Sequence, residues 1–181
     1  VTGLERLPEP LETDRLRLRR PVPSDAEAMF RAFSTGQMPA SSNWSQVRAI
    51  EDVETHLARQ IARWTTDEGF SFAITHANDD RFLGQVSFIR EPEPDTWLLG
   101  YWIAPTDWGR GYATEAAGAV VDVAFARLGA QSIWAGTVHE NIASQRVLGK
   151  LGFVYRQENP SGYSVGDRVF ATREYERVAA R

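Results

Sequence analysis

Trp97-Leu98-Leu99-Gly100-Tyr101-Trp102-Ile103-Ala104-Pro105-Thr106-Asp107-Trp108-Gly109-Arg110-Gly111-Tyr112-Ala113-Thr114-Glu115-Ala116 reads as strand, stop, glycine turn and helix without interruption. Trp97 to Ile103 is continuously apolar, the character of a strand inside a sheet, and Pro105 stops it. After the turn, Ala113, Ala116, Ala117, Val120, Val121, Ala124, Phe125 and Leu128 recur at helical spacing, and Gly129 closes the run. The first turn of such a helix presents unpaired N–H groups at the positive end of its dipole. Gly109 and Gly111 remove side chains there, so a phosphate can approach the backbone, with Arg110 as a charge at the rim. On local chemistry alone, a plain strand-to-helix turn fits equally well. Two other phosphate motifs are excluded. There is no G-x-x-x-x-G-K-[ST], and the dinucleotide pattern G-x-G-x-x-G fails at its third glycine.

The next unit repeats the arrangement. Ser132–Val138 reads as a strand, and Asn141 can cap a helix running to Leu151, with Gly152 as its terminator. If this strand lies parallel to Trp97–Ile103, two helix N-termini face one cleft. That suits a long polyanionic ligand with an amide-bearing arm. By default Asn141 is only a cap, Ser144 a first-turn polar residue, and Arg146 and Lys150 solvated charges.

Upstream, residues 1–10 read as a Pro- and Glu-rich lead-in to a single domain over 11–181. Leu16 and Leu18 alternate with charges as a half-buried strand does. Ser24 with Glu27 predicts a capping box opening a short helix through Phe33. Residues 34–46 read as a loop, and Ile50, Val53, Leu57, Ile61 and Trp64 mark a helix ending near Gly69. Phe70–Ile74 and Phe82–Ile89 are expected strands. Val154–Tyr155 and Val169–Tyr175 supply the last two, separated by a loop over Asn159–Asp167. The expected order is β-α-α-β-β-β-α-β-α-β-β, one mixed α/β sheet with helices on its faces.

Bulk properties narrow the function. The 181 residues are 43% hydrophobic and 24% charged, ordinary for a globular domain. A net charge of -4, from 20 basic and 24 acidic residues, argues against sequence-independent nucleic-acid binding. Zero cysteines exclude disulfides, thiolate catalysis and Cys-based metal sites. His56, His76 and His139 are widely spaced, so no metal is expected. No run is long and apolar enough for a membrane span, and no signal-type segment opens the chain. The expectation is a cytoplasmic protein without membrane or nucleic-acid partners.

Three stretches together resemble the GNAT family of N-acetyltransferases. They are Leu99–Pro105, Trp108–Ala116 and Asn141-Ile142-Ala143-Ser144-Gln145-Arg146-Val147-Leu148-Gly149-Lys150-Leu151-Gly152-Phe153. With Leu11–Arg19 and Asp25–Phe30, they are similar to the branch containing the ribosomal-protein N-terminal acetyltransferases. The resemblance implies the GNAT fold: a mixed, mostly antiparallel sheet splayed at the cofactor site, with helices on both faces. It implies acetyl-CoA as co-substrate and no metal. Backbone groups of Gly109, Arg110, Gly111, Tyr112, Ala113 and Thr114 would hold the pyrophosphate. Trp102, Ile103 and Ala104 would pair with the pantetheine amides, and Asn141 would bond the same arm, with Ser144 and Arg146 beside it. Trp108 stands where the family usually has Gln or Arg, which moves the binding burden onto backbone amides.

The implied reaction is acetyl transfer to a primary amine by direct attack, with no acyl-enzyme; the lack of cysteine agrees. A backbone N–H near Ile103 would stabilise the oxyanion, and Ser144 would serve the leaving thiolate. For the base, Leu98 stands where related sequences often carry Glu; Glu140, His139, Glu115 and Glu158 are the candidates, and Glu158 is preferred. Glu115 reads rather as a dipole partner in the first helical turn. The acceptor would be a protein N-terminus or a small-molecule amine, and the protein a monomer or homodimer. The alternative is a catalytically silent acyl-CoA-binding or interaction domain on the same fold.

Overall fold

A computed structural model describes residues 7–180. Eight strands form one sheet in the order β1-β2-β3-β4-β5-β6-β8-β7. The strands are β1 (Leu11–Glu12), β2 (Leu16–Arg19), β3 (Gly69–His76), β4 (Phe82–Arg90), β5 (Thr96–Ile103), β6 (Ser132–Val138), β7 (Val154–Val165) and β8 (Arg168–Val178). The helices are α1 (Asp25–Phe33), α2 (Ile50–Thr66), α3 (Tyr112–Val123) and α4 (Ile142–Lys150). Among the described residues no helix is long and apolar enough to cross a membrane, and no cluster of His, Asp and Glu could hold a metal ion.

All pairings are antiparallel except β5 with β6. That parallel pairing holds only for Thr96–Leu98 against Ser132–Trp134. Beyond it β5 stays with β4 as far as Ile103, while β6 follows β8 as far as Val138. The sheet therefore splits at its centre. Each half keeps one fully paired neighbour, which is why the split does not unravel either strand.

The period-2 alternation of β5 sorts its side chains onto two faces. Trp97, Leu99 and Ile103 join a core with Phe72, Val86 and Phe88, capped by Ala116, Ala117, Val120 and Val121 of α3. On the other face Ala104, with Trp102 and Phe82, packs on Ala26, Met29 and Phe33 of α1 and Val53 and Leu57 of α2. The small alanines of α3 let that helix lie close on the sheet.

Several local expectations are corrected. Ser24 makes no side-chain cap. The buried carboxylate of Asp25 acts instead, accepting from Val22 N at 2.9 Å and from both terminal nitrogens of Arg19. α2 stops at Asp67, left-handed with φ 57, and Gly69 already belongs to β3. The helix after the glycine turn widens at Ala124–Leu128 into a π-type turn before Gly129. Asn159–Asp167 is not a loop: β7 runs through it to Val165, with Pro160, Ser161 and Gly162 taken up in an irregularity between Asn159 and Tyr163. Hydrogen bonding to β8 outweighs the local turn chemistry there. Of the expected lead-in, residues 1–6 lie outside the described residues; Leu7 is buried in the core and Glu9 accepts from Arg20 N.

Candidate active site

The glycine turn leads from the end of β5 into α3 through a short 3-10 turn at Pro105–Asp107. Gly109 (φ 75) and Gly111 (φ 81) both hold the left-handed conformation, where a side chain is strained. Among the described residues no acceptor takes the amide N–H groups of Gly109 through Thr114. They are the orphan donors of a helix start, gathered on an exposed turn. Arg110 is exposed, 3.9 Å from Asp107 Oδ1.

Two ion pairs brace this turn. Asp107 is buried and accepts from Arg81 Nη1 at 2.8 Å and Nη2 at 3.1 Å. The Arg81 guanidinium holds the Asp107 carboxyl below its ordinary value. From the β1–β2 turn, Thr13 Oγ1 donates to Glu115 Oε1 at 2.6 Å, and Arg15 donates to both Glu115 oxygens. Burial pushes the Glu115 carboxyl up, and the bonds from Thr13 and Arg15 outweigh it, so the net shift is downward. Arg15 Nη1 also donates to the Arg110 carbonyl at 3.1 Å. Glu115 is thus an ionised anchor, fully engaged.

The edge of β5 that faces the split follows from its register. Ala104 N–H bonds Leu83 O, and Glu91 N–H bonds Thr96 O. The antiparallel alternation then turns the backbone groups of Gly100, Trp102 and Ala104 toward β4, and those of Leu99, Tyr101 and Ile103 toward β6. Trp102 and Ala104 are therefore spent in the sheet, contrary to their expected pairing with a ligand. Tyr101 N–H and C=O and Ile103 N–H face the opening. The Ile103 carbonyl is already taken: Trp108 Nε1 donates to it at 2.6 Å. Its indole nitrogen thus secures the end of β5, while about half of the side chain stays exposed.

Across the opening, Asn141 Oδ1 accepts from Ser144 N at 3.0 Å, so Asn141 is a helix cap, and among the described residues its amide nitrogen has no acceptor. Ser144 Oγ lies 2.8 Å from the Tyr101 hydroxyl, which also reaches Ser144 O at 3.3 Å. Burial pushes the Tyr101 phenol up to about 12, against the opposing bond to Ser144. Tyr101 is the site residue that the sequence reading passed over. Its signal is the alternation itself, which puts Tyr101 on the α3–α4 face of the last turn-facing stretch of β5. Arg146 is exposed on α4.

Glu158 does not border the α1–α2 side of the sheet. It pairs with Arg173, whose guanidinium reaches Gln145 of α4, so its exposed carboxylate belongs to the opposite face. The β7 register decides this, and a one-residue irregularity between Tyr155 and Gln157 sets it. His139 and Glu140 are exposed in the β6–α4 turn.

Comparison with known proteins agrees with this architecture. Residues 15–154 match the model of the acetyltransferase (GNAT) domain. The chain is 31% identical over 144 residues to the uncharacterized N-acetyltransferase YoaA of Bacillus subtilis strain 168, covering 79% of this chain and 81% of that one. In fold it is similar to a GNAT-family acetyltransferase from Bacillus anthracis, at TM-score 0.81 and 21% identity, covering 93% and 97% of the two chains. It is likewise similar to Mycobacterium smegmatis RimJ in complex with CoA-disulfide, at TM-score 0.78 and 22% identity over 91% and 82%. A split parallel pair, a cradle of free amides at its rim and a match over most of the chain lead to one assignment: this protein belongs to the GNAT family of acetyl-CoA-dependent N-acetyltransferases.

Proposed function

We propose that the protein transfers acetyl from acetyl-CoA to a primary amine, a protein N-terminus or a small molecule, by direct attack within the β5–β6 split. The observation that carries the reading is the convergence of three features on that split. These are the free amides of Gly109–Thr114, the gap-facing N–H of Ile103, and the Tyr101–Ser144 hydroxyl pair. Pyrophosphate oxygens sit on the amides at the α3 start. The pantetheine arm lies along β5, bonded to Tyr101 backbone groups and to the Asn141 side-chain amide. Arg146 supplies charge at the rim.

The amine attacks as its free base. Its lone pair forms the N–C bond at the thioester carbonyl, and the carbonyl oxygen becomes an oxyanion facing Ile103 N–H. As the intermediate collapses, the C–S bond breaks and the thiolate takes a proton from the Tyr101–Ser144 pair. The proton lost by the acetylated nitrogen restores that pair through solvent. A phenol pushed up to about 12 stays protonated throughout the neutral range, which keeps the pair a donor. The products are an N-acetyl amine and free CoA thiol.

An amine and peptide acceptor screen, read by CoA thiol release, tests this reading. Release with at least one primary amine, dependent on Ser144, is the expected result. Acetyl-CoA binding without release across the panel supports the silent-binding alternative instead.

A further inference from the structure

The split has a second mouth, on the face that carries α1 and α2. Leu98 and Trp134 are the last paired residues of β5 and β6, so Gly100 and Gly136 follow at the same level on either side of the opening. Both belong to the alternation of Leu98 and Trp102, so both leave the α1–α2 face bare of side chain where the strands part. Next to Gly136, on β8, stands Glu174. Its neighbour Arg173 reaches toward α4, so Glu174 projects on the opposite, α1–α2 face. Asn159 Nδ2 donates to Glu174 Oε1 at 2.8 Å, and Gln157 Nε2 donates to Oε2 at 2.7 Å. Among the described residues each oxygen thus has one neutral amide donor and no cation within salt-bridge distance, unlike Glu115, Asp107 and Glu158, which are matched by arginines. Trp102 forms the upper wall of this mouth with Trp44 and Phe33 behind it, and half-buried Trp134 lies below. Tyr163, bonded to the Ser41 carbonyl, ties the β7–β8 hairpin to the α1–α2 loop above the groove.

We infer that Glu174 is the residue that selects a cationic amine acceptor. It receives the acceptor's ammonium beside Gly100 and Gly136, where the ammonium gives up one proton to solvent before its nitrogen attacks, while the tryptophans receive an apolar body attached to it. The inference rests on the proposed acetyl transfer for its purpose, not for its geometry. Two neutral amides fix the direction of the carboxylate without pairing it to a cation, as a guanidinium would. Its placement opposite the cofactor cradle gives the two substrates separate entrances: the polyanion by the α3 and α4 N-termini, the cation by the acidic groove. Attraction and repulsion together then keep each substrate out of the other's mouth.

The test uses the full chain loaded with CoA and two probes, 2-phenylethylamine and a serine-initiated tetrapeptide amide, with 2-phenylethanol as the neutral control. Calorimetry reads binding, and thiol release with acetyl-CoA reads turnover. Glu174→Gln is expected to weaken amine binding and raise its KM by roughly 10- to 100-fold, with acetyl-CoA affinity unchanged. Gln157→Ala and Asn159→Ala, which keep the charge but release it, should give smaller KM increases. The neutral control should bind weakly and equally to both forms. Whichever probe loses more identifies a small amine or a peptide terminus as the source. Unchanged KM and binding for both probes in Glu174→Gln overturns the inference while leaving acetyl transfer standing. Binding that depends on Glu174 without thiol release supports the inference and counts against acetyl transfer. Absence of both binding and release overturns both.

Discussion

The Tyr101 hydroxyl and Ser144 Oγ meet at 2.8 Å where β5 and β6 part, joining β5 to α4 over the split. Together they place a pair of hydroxyl donors over the ligand path.

The first prediction concerns this pair. Ser144→Ala and Tyr101→Phe should each lower kcat by about 100- to 10,000-fold, the range of a lost general acid. The dissociation constant for acetyl-CoA should change less than about threefold, since the cradle amides are untouched. Steady-state kinetics with calorimetry on the same variants checks both. An unchanged kcat in both variants would remove the pair from the mechanism.

The second concerns the cradle. Gly111→Val places a β-branched side chain at φ 81, which costs about 1–2 kcal/mol in backbone strain. The nearest atom to its new Cβ is Arg15 Nη2 at 3.6 Å, an ordinary contact, so the strain is conformational rather than steric. The turn is expected to relax away from the left-handed form and scatter its amides. Acetyl-CoA binding should be lost, with circular dichroism showing the helices retained. Wild-type affinity in this variant would sink the cradle.

What could be read from the chain and what could not divides along sequence distance. The β5–turn–α3 and β6–α4 units are legible because each is local: an apolar run, a Pro or Asn boundary, a helical period and a terminating glycine. The Gly109–Thr114 amides follow from those units directly, while Ser144 stands out only through the family resemblance of Asn141–Phe153. Tyr101 was within the quoted stretch, yet its role depends on β6 lying parallel to β5, a contact that brings together residues 43 positions apart. The Arg15–Glu115 clasp spans 100 positions and has no local trace. Glu158 and Glu174 lie on one hairpin, and only the register, shifted once between Tyr155 and Gln157, decides which faces α1 and α2. Ser24 and Glu27 had the right spacing for a capping box, but Arg19 draws Asp25 into the position. Tertiary ion pairing overrode a local motif.

The third prediction follows from the phenol. Tyr101 is raised from 10.0 to about 12, chiefly by burial. A folded-state value above the unfolded one means that the contribution is fully present below pH 10 and is lost as pH rises toward 12. The loss should amount to on the order of 2–3 kcal/mol. Denaturant unfolding of Tyr101→Phe should therefore be flatter than wild type over that window, and turnover below pH 9 should show no tyrosine titration.

The fourth tests whether the turn is held from behind. Asp107 is only 3% exposed and sits one residue before Trp108, with Arg81 of the β3–β4 turn bonded to both its oxygens. Asp107→Asn keeps the shape but removes the charge that fixes Arg81. Because the Arg81 side chain is 46% exposed, water shares the pairing, and the cost should be about 1–2 kcal/mol rather than that of a dry ion pair. For a chain of this size that lowers Tm by roughly 2–8 °C. The acid side gives an independent check. The Asp107 carboxyl is held below its ordinary value of 3.8, first by the Arg81 bonds. Its contribution is therefore present above that value and lost as pH falls through the lowered one. Wild type should lose its advantage over Asp107→Asn on acidification, and the two Tm curves should converge at low pH. Acetyl-CoA affinity at neutral pH should fall several-fold with the variant, since the loosened 3-10 turn no longer aims the Gly109–Thr114 amides. Curves that stay parallel down to low pH would show that Arg81 does not act through this carboxylate.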